Sequence, residues 1–315
     1  MAHFLRNKRP LLNEQGQLAE AGYSTSPVPE YDRRDIKAHS LRIKEWDSYV
    51  ISDGKRALIL TVADHSHTGI TCISYIDFEE KWEITKTPTV FFPMGKTNLP
   101  SSPEYGDLRI SKKGYELCFE NHGNNRILTF RMERFKGSKA ISGRLLLTCP
   151  KGDTAVAAVA FPRAPKDFFY NQNIPYMPAE GTVTLGESSY TFSKASASAA
   201  LDWGRAVLPL RMSRHWASAS GKVNGQPFAL NFGPESMVFY NGQAHLLEAV
   251  TLKKNQFRDP EGRVALEFTP LFTHTPYQYR SCRFGTLSGT VVLTDGTLLQ
   301  IEDAFGFLEK TFYKW

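Results

Sequence analysis

Apolar and polar residues alternate along most of this chain from about residue 50 onward. The alternation is clear in residues 115–120, 128–133 and 141–149, where nearly every second residue is apolar. Because successive side chains of a β-strand point to opposite faces of a sheet, each run offers one apolar face to a core. The pattern therefore predicts a protein built from antiparallel strands.

Turn sequences separate the candidate strands in the second half of the chain. The dipeptides Asn-Gly at 224–225, Asn-Gly at 241–242 and Asp-Gly at 295–296 each lie between two such strands. A two-residue type I′ turn needs positive φ at both central residues, which Asn, Asp and Gly adopt most readily. The sequence therefore predicts three hairpins joined in a meander. They cover residues 220–231, 236–247 and 289–301.

The length of 315 residues exceeds what one hydrophobic core usually serves, so two lobes are expected. Many short strands with few helices favour closed or nearly closed barrels, because closure leaves no exposed strand edge. Prolines at 162 and 165 indicate a crossover between the lobes. We expect an N-terminal β lobe over residues 1–165, a linker over 166–200 with a short Ala-rich helix at 193–201, and a C-terminal β-meander lobe over 201–315.

The composition excludes several classes of protein. Lys and Arg outnumber Asp and Glu by 38 to 32, a mild and dispersed excess that does not indicate a nucleic-acid partner. No apolar run approaches the ~18 residues of a membrane helix, and the first residues lack the apolar segment of a secretory signal. The four cysteines are far apart, which is typical of reduced thiols. We expect a cytoplasmic protein without an integral membrane segment.

Three motifs of the second half occur in a characteristic order. Residues 201–205, 216–221 and 230–233 read L-D-W-G-R, W-A-S-A-S-G and L-N-F-G, and the chain closes with E-D-A-F-G-F-L-E at 302–309 and Trp315. This order resembles the D-W-x-R-G, W-A-S-x-S-G and L-N-x-G signature of a bacterial family of unknown function, DUF2804. Ala206 departs from the pattern, because the family usually has Gly there.

The resemblance implies a fold and a class of ligand. At greater distance the family is similar to double-lipocalin-like proteins, among them AttH-type proteins, carotenoid hydratases and some fungal pericyclases. Those proteins bind hydrophobic small molecules between or inside two barrels. The fold class expected for this chain is thus all-β, with two lipocalin-like antiparallel β-barrels, or strongly curved sheets, packed together and few short helices. One fold hosts many functions, so the resemblance supports architecture more than chemistry.

One cluster of charged and aromatic residues lies at the predicted junction of the lobes. Its members are Asp202, Trp203, Arg205, Arg211, His215 and Trp216. In a cavity, the arginines would bind an anionic group or orient Asp202 as a catalytic residue, and the indoles would stack on an apolar ligand. The structural alternative, which we favour, has Asp202 as a cap or as the partner of Arg205 that locks the crossover, and both tryptophans buried as core residues.

A second group comprises Asn231, Glu302 and Glu309. Glu302 is in phase with Leu298 and Gln300, and if it points into the second barrel its carboxyl group can serve as an acid or base, because burial raises the pKa of a carboxyl group. Asn231 and Glu309 are expected to contact a ligand. For Glu309, a contact to an arginine or the backbone that pins the last strand is the favoured alternative.

Other motifs point away from cofactors. The segment Asp64-His65-Ser66-His67 places two histidines on one strand face, which suits zinc, but it runs into Thr-Gly and a solvated turn is favoured. The chain has neither G-x-G-x-x-G nor a Walker A sequence, so nucleotide cofactors are not expected. We expect no cofactor and no metal.

Three functions remain open on the sequence. The first is a protein that binds a hydrophobic or amphipathic small molecule and acts on it as a cofactor-independent hydratase, isomerase or cyclase, with Asp202 or Glu302 moving a proton. In this case Asp202→Asn should abolish turnover with an almost unchanged melting temperature. The second is a non-enzymatic lipid carrier or sensor. The third is a structural or interaction protein, whose barrel interiors would be filled by its own side chains.

Overall fold

The computed structural model describes residues 3–149, 151–277 and 280–314. In these segments the chain forms strands and two single-turn 3-10 helices, Arg33–Asp35 and Ser40–Arg42, and no α-helix. The predicted all-β fold is confirmed. Trp315, which contributes to the sequence resemblance, lies outside the described residues.

The strands are numbered in chain order. The first eight are β1 Arg9–Pro10, β2 Gly22–Ser24, β3 Pro29–Glu30, β4 Ile43–Ser52, β5 Arg56–Asp64, β6 Thr68–Asp77, β7 Trp82–Lys86 and β8 Thr89–Phe91. The next eight are β9 Leu108–Lys112, β10 Tyr115–Asn121, β11 Asn125–Lys136, β12 Lys139–Thr148, β13 Ala155–Ala160, β14 Phe168–Leu185, β15 Ser188–Phe192 and β16 Ser198–Val207. The last nine are β17 Arg211–Val223, β18 Gln226–Phe232, β19 Ser236–Tyr240, β20 Gln243–Leu246, β21 Thr251–Lys253, β22 Gln256–Arg258, β23 Val264–Tyr277, β24 Arg280–Val292 and β25 Leu298–Lys314.

Two curved antiparallel sheets contain nearly all of these strands. The first has fourteen strands, with the central order β7-β6-β5-β4-β16-β14-β12-β11-β10-β9. Its longest strand, β14, pairs with β13 and β16 along its first half and with β12 and β15 along its second half. The second sheet has nine strands in the order β20-β19-β18-β17-β25-β24-β23-β22-β21. Each sheet curls into a half-barrel. Below, the first and second lobes are these two sheets with their loops, and the first and second barrels are the half-barrels that the sheets form.

The alternation of side chains along the strands creates three packed layers. The inward residues of the first sheet, such as Tyr49 and Leu60, form one large core, and the inward residues of the second, such as Leu230 and Ile301, form another. The opposite face of β4, β5 and β16 packs against β17, β24 and β25 through a third cluster that includes Val50, Trp216 and Phe284. Functional side chains on β16 and β17 therefore lie either inside a barrel or between the lobes.

The region predicted to be a linker is part of the first sheet. Residues 168–185 form β14, and residues 198–207 form β16 between β4 and β14. The short helix predicted at 193–201 is wrong, because the pairing of β16 with two neighbouring strands overrides the helix propensity of its alanines. The chain passes from the first sheet to the second between Val207 and Arg211. The division into folding units at 165 and 200 stays a prediction.

The predicted hairpins are present, with one difference in turn chemistry. Asn224 and Gly225, and likewise Asn241 and Gly242, have positive φ at both positions, as a type I′ turn requires. The third hairpin, between β24 and β25, has a longer loop, in which Leu293 N donates to the Thr297 carbonyl oxygen and Gly296 N donates to the Leu293 carbonyl oxygen. In that loop Gly296 has φ of 87°.

Candidate functional site

Strand alternation separates the predicted cluster on β16 into two groups. Asp202 lies on the face that meets the second lobe, whereas Trp203 and Arg205 lie on the opposite face, inside the first barrel. All three side chains are buried. Residues that are neighbours in sequence thus belong to different environments, because side chains one position apart on a strand point in opposite directions.

The Asp202 carboxylate is the centre of a buried polar network between the lobes. Its Oδ2 accepts hydrogen bonds from Arg214 Nη1 at 2.6 Å and Trp46 Nε1 at 3.0 Å. Its Oδ1 accepts from Arg214 Nη2 at 2.9 Å and Asn173 Nδ2 at 3.1 Å. The bidentate pair with Arg214 joins β16 of the first lobe to β17 of the second, and it fixes the planes of both groups.

The predicted pairing of Asp202 with Arg205 is wrong. Arg205 Nη1 instead donates to Asp47 Oδ1 and to the Trp46 carbonyl oxygen, both at 2.9 Å. Its Nη2 donates to the carbonyl oxygen of Pro100 at 2.6 Å. The guanidinium carbon lies 4.1 Å from the ring centroid of Trp203, a cation–π contact. Arg205 therefore holds together the interior of the first barrel and the loop that covers it.

On β17, Trp216 lies between the lobes as a buried residue. Its Nε1 donates to Asn231 Oδ1 at 2.8 Å, and its ring meets Phe307 edge to face at 4.8 Å between centroids. Arg211 and His215 are exposed, so the structure does not bring them to Asp202. Arg214, which the sequence analysis did not single out, has the same strand parity as Trp216, and this parity is the signal that would have identified it.

Glu309 forms a buried ion pair on the same side of the second sheet. Its Oε2 accepts from Arg280 Nη2 at 2.6 Å and Nε at 3.0 Å, and its Oε1 accepts from Thr311 Oγ1 at 3.0 Å. The pair connects β24 to β25, so the contact between Glu309 and an arginine that the sequence analysis favoured is present. Arg280 itself carried no sequence signal beyond its charge.

Glu302 lies on the outer surface of the second lobe. The inward orientation that an acid or base role requires is not observed, because Leu299 and Ile301 occupy the inward positions of β25 and are completely buried. Leu298 is 61% exposed, and Gln300 and Glu302 share its outward face. Apolar residues occur in both alternating sets of this strand, Leu298 in one and Leu299 and Ile301 in the other. Alternation alone therefore did not show which set points inward.

A small polar cavity of about 40 Å³ lies between the lobes. Both ion pairs line it, Asp202–Arg214 and Arg280–Glu309, together with His65, which directly follows β5, and Cys72 in the middle of β6. A water molecule needs roughly 10–15 Å³ of such space and several polar partners. The cavity therefore has room and hydrogen-bonding groups for a small number of water molecules.

A larger groove of about 500 Å³ lies where the edges of the first sheet approach each other. Its apolar lining includes Phe91, Phe92 and Ile110, from the regions of β8 and β9, and Tyr115. Ala63 and Ile70 line both this groove and the polar cavity. The side chains of these two residues thus separate the open groove from the cavity that contains the buried ion pairs.

Lys44 lies close to the two histidines of the β5–β6 turn. Its Nζ donates to the carbonyl oxygens of Leu41 at 2.9 Å and His65 at 2.7 Å, and it lies 3.3 Å from His67 Nδ1. Burial lowers the pKa of Lys44 to about 7, and burial beside Lys44 lowers the pKa of His65 to about 3. The His65 imidazole is therefore neutral at physiological pH.

The neighbouring Asp64 has a structural position. Its Oδ1 accepts from Ser66 N at 2.9 Å, and its Oδ2 accepts from Gly95 N at 2.9 Å and Thr97 Oγ1 at 2.8 Å. Over residues 3–149, 151–277 and 280–314, no three His, Cys, Asp or Glu side chains are arranged to hold a metal ion. No helix in these segments is long and apolar enough to cross a membrane.

Two curled antiparallel sheets, packed face to face around buried ion pairs, place the protein in the class of double lipocalin-like folds. Within that class the chain belongs to the family described as domain of unknown function DUF2804, whose model matches residues 2–315. No curated protein matches the chain in sequence.

Two solved structures are similar to the chain. An AttH-like protein from Nitrosomonas europaea is 14% identical with a TM-score of 0.55, and the alignment covers 91% of this chain and 98% of that one. Kievitone hydratase from Nectria haematococca is 12% identical with a TM-score of 0.48, over 86% of this chain and 89% of that one. At these identities the first likeness shows a shared fold, as the sequence resemblance implied.

Proposed function

We propose that this protein binds an amphipathic small molecule whose apolar part occupies the groove between β8 and β9. The observation that carries the proposal is the groove itself, whose volume of about 500 Å³ falls within the range of small-molecule sites, roughly 300–1,000 Å³. The barrel interiors are less suitable, because their inward side chains pack into continuous apolar cores.

The chemistry of the groove supports an amphipathic ligand rather than a purely apolar one. Phe91, Phe92 and Ile110 offer apolar and aromatic contact surface, while Lys96 and Arg109 offer positive charge on the same walls. A ligand with an apolar body and an anionic or polar end would satisfy both kinds of group. In this arrangement Lys96 and Arg109, rather than Arg205 and Arg211, would contact the anionic end of the ligand.

The ligand site can be tested by filling the groove. Replacing Ile70 by Trp adds an indole to its wall, so we expect the affinity for 1-anilinonaphthalene-8-sulfonate, an amphipathic fluorescent anion, to fall by about tenfold or more. Leu252→Trp, which adds the same side chain on the exposed strand β21, is the matched control and should leave the affinity unchanged. Equal affinities of the wild type and Ile70→Trp would refute the groove as the site.

The polar cavity behind Ala63 and Ile70 favours a second candidate, a cofactor-independent hydration or isomerisation of the bound molecule. The cavity would hold the reacting water beside the two ion pairs, and Asp202 would act as the proposed acid or base, positioned by Arg214. This role requires one donor to leave the carboxylate, because both of its oxygens accept hydrogen bonds from Arg214 and a second group.

A carrier and a hydratase differ in what happens to the bound molecule. Native mass spectrometry of the protein purified from its own cells would give the mass of any such molecule. When the extracted molecule is returned to the protein in ¹⁸O-labelled water, a hydratase is expected to incorporate the label, and heat-denatured protein is the control. Recovery of the molecule from the folded protein without label would contradict hydration, and recovery with an unchanged structure as well would support the carrier over an isomerase.

A further inference from the structure

An exposed apolar segment forms one edge of the groove. Phe91 and Phe92 are 76% and 63% exposed, and Val90 and Met94 beside them are exposed as well. Single exposed apolar side chains are common on protein surfaces, but a contiguous group of large ones marks a site of interaction. These four residues are called the aromatic rim below.

Hydrogen bonds fix the backbone of the aromatic rim. Phe92 N donates to the His67 carbonyl oxygen at 2.9 Å, and the Asp64 carboxylate accepts from Gly95 and Thr97 just beyond the rim. Phe92 and Met94 have φ of 51° and 53°, a left-handed conformation that is unfavourable for large side chains. Hydrogen bonds thus maintain a strained backbone that keeps the phenylalanine rings in solvent.

Positive charge accompanies the aromatic rim. The groove that it borders is lined by Lys96, Arg109 and Lys112 and by a single acidic side chain, Asp107. All three cations are exposed, although Arg109 Nη1 lies 3.4 Å from the carboxylate of Glu116. The whole chain carries a formal charge of +6. Cations near an aromatic edge favour an anionic partner, since they attract it over a distance of about a Debye length, roughly 10 Å in moderate salt.

We propose that the aromatic rim and these three cations dock the protein onto an anionic phospholipid surface. Phenylalanine rings that protrude from a fixed loop can enter the acyl boundary of a bilayer, while the lysine and arginine side chains remain among the phosphate groups. A second copy of the chain would also cover the rings. However, Lys96, Arg109 and Lys112 still outnumber Asp107 and Glu116, so the same surface of a second copy would be repelled.

Docking of this kind would place the mouth of the groove against the bilayer. An amphipathic molecule could then move from the membrane into the groove without exposing its apolar part to water. The identity of this cargo rests on the proposed function, whereas the docking itself rests only on the aromatic rim and the cations.

The test is co-sedimentation with phosphatidylcholine vesicles that either contain or lack phosphatidylglycerol. Wild-type protein should sediment with the phosphatidylglycerol vesicles only, and added salt should weaken the association, because salt screens the attraction between exposed charges. The double variant Phe91→Ser/Phe92→Ser should lose about tenfold or more of this association. The control variant Leu271→Ser/Leu298→Ser, which alters two exposed leucines of the second lobe, should sediment like the wild type.

Three results would overturn the docking proposal. They are failure of the wild-type protein to sediment with phosphatidylglycerol vesicles, undiminished sedimentation of the phenylalanine variant, and a dimer in solution that only the phenylalanine variant loses. Binding of 1-anilinonaphthalene-8-sulfonate without vesicles separates this proposal from the proposed function. Vesicle association without binding of this probe would refute only the ligand groove, and binding of the probe without vesicle association would refute only the docking.

Discussion

Replacing Asp202 by asparagine is expected to lower the free energy of unfolding by about 3–5 kcal/mol, because the substitution leaves the guanidinium of Arg214 buried without a counter-charge. Bulk solvent offers Arg214 little compensation, since both partners of the pair are more than nine-tenths buried. Asparagine has the shape of aspartate, but its amide nitrogen cannot accept the hydrogen bonds that one carboxylate oxygen receives.

Urea denaturation measures this loss, and two further variants identify its cause. The double variant Asp202→Asn/Arg214→Met also removes the guanidinium that Asp202→Asn leaves unpaired. It should therefore be more stable than Asp202→Asn alone. Glu302→Gln, which neutralises an exposed carboxylate of the second lobe, should change the unfolding free energy by less than about 0.5 kcal/mol. If Asp202→Asn were as stable as the wild type, the ion pair would not hold the lobes together.

The expected loss changes how an activity experiment on Asp202 must be interpreted. The sequence predicted a loss of turnover with an almost unchanged melting temperature, as for a residue used only in catalysis. The four hydrogen bonds of the carboxylate instead predict a structural effect whatever its chemical role. Turnover of the Asp202→Asn variant therefore has to be compared at a temperature where the variant is folded.

Local sequence features predicted most of the architecture. The two-residue periodicity and the Asn-Gly turns identified the all-β fold and the meander of the second lobe, because both signals depend on neighbouring residues only. The role of residues 168–185 was not predictable in this way. That strand is central to the first sheet because it pairs with β12, β13, β15 and β16, and such pairings between distant segments leave no local signal.

The candidate site was predicted in part, for a similar reason. Asp202 and Trp216 were identified from their chemical type and do lie between the lobes. Arg205 and His215 were grouped with them by closeness in sequence, yet Arg205 lies inside the first barrel and His215 is exposed. Applying strand parity to the same residues would have separated them, and it would have added Arg214. The groove involves β6, β8 and β9, whose proximity only the folded structure reveals.

Replacing Arg205 by methionine is expected to have a comparably large effect in the first barrel. Arg205 is completely buried, and it is the ion-pair partner of Asp47 at 2.9 Å. Methionine approximates the volume of the side chain but supplies neither the charge nor the donors. The loss should be about 3–5 kcal/mol of unfolding free energy, because a buried carboxylate and the carbonyl oxygens of Trp46 and Pro100 lose their partner.

The pH dependence of this loss distinguishes the missing charge from the missing packing. Burial raises the pKa of Asp47 in the wild type, and the Arg205 guanidinium opposes this rise. Without Arg205 the folded-state pKa rises further above the unfolded value of about 3.9. The folded variant then binds more protons than the unfolded chain, so its stability falls as the pH increases through that window.

The stability difference between wild type and Arg205→Met should therefore widen as the pH is raised from about 4 to 7. Urea denaturation at several pH values measures this difference. Arg205→Met/Asp47→Leu removes the carboxyl group, so it should recover part of the stability at pH 7, and the difference from the wild type should vary less with pH. If the single variant loses the same free energy at every pH, Asp47 does not depend on Arg205 for its charge, and the loss comes from packing and carbonyl hydrogen bonds alone.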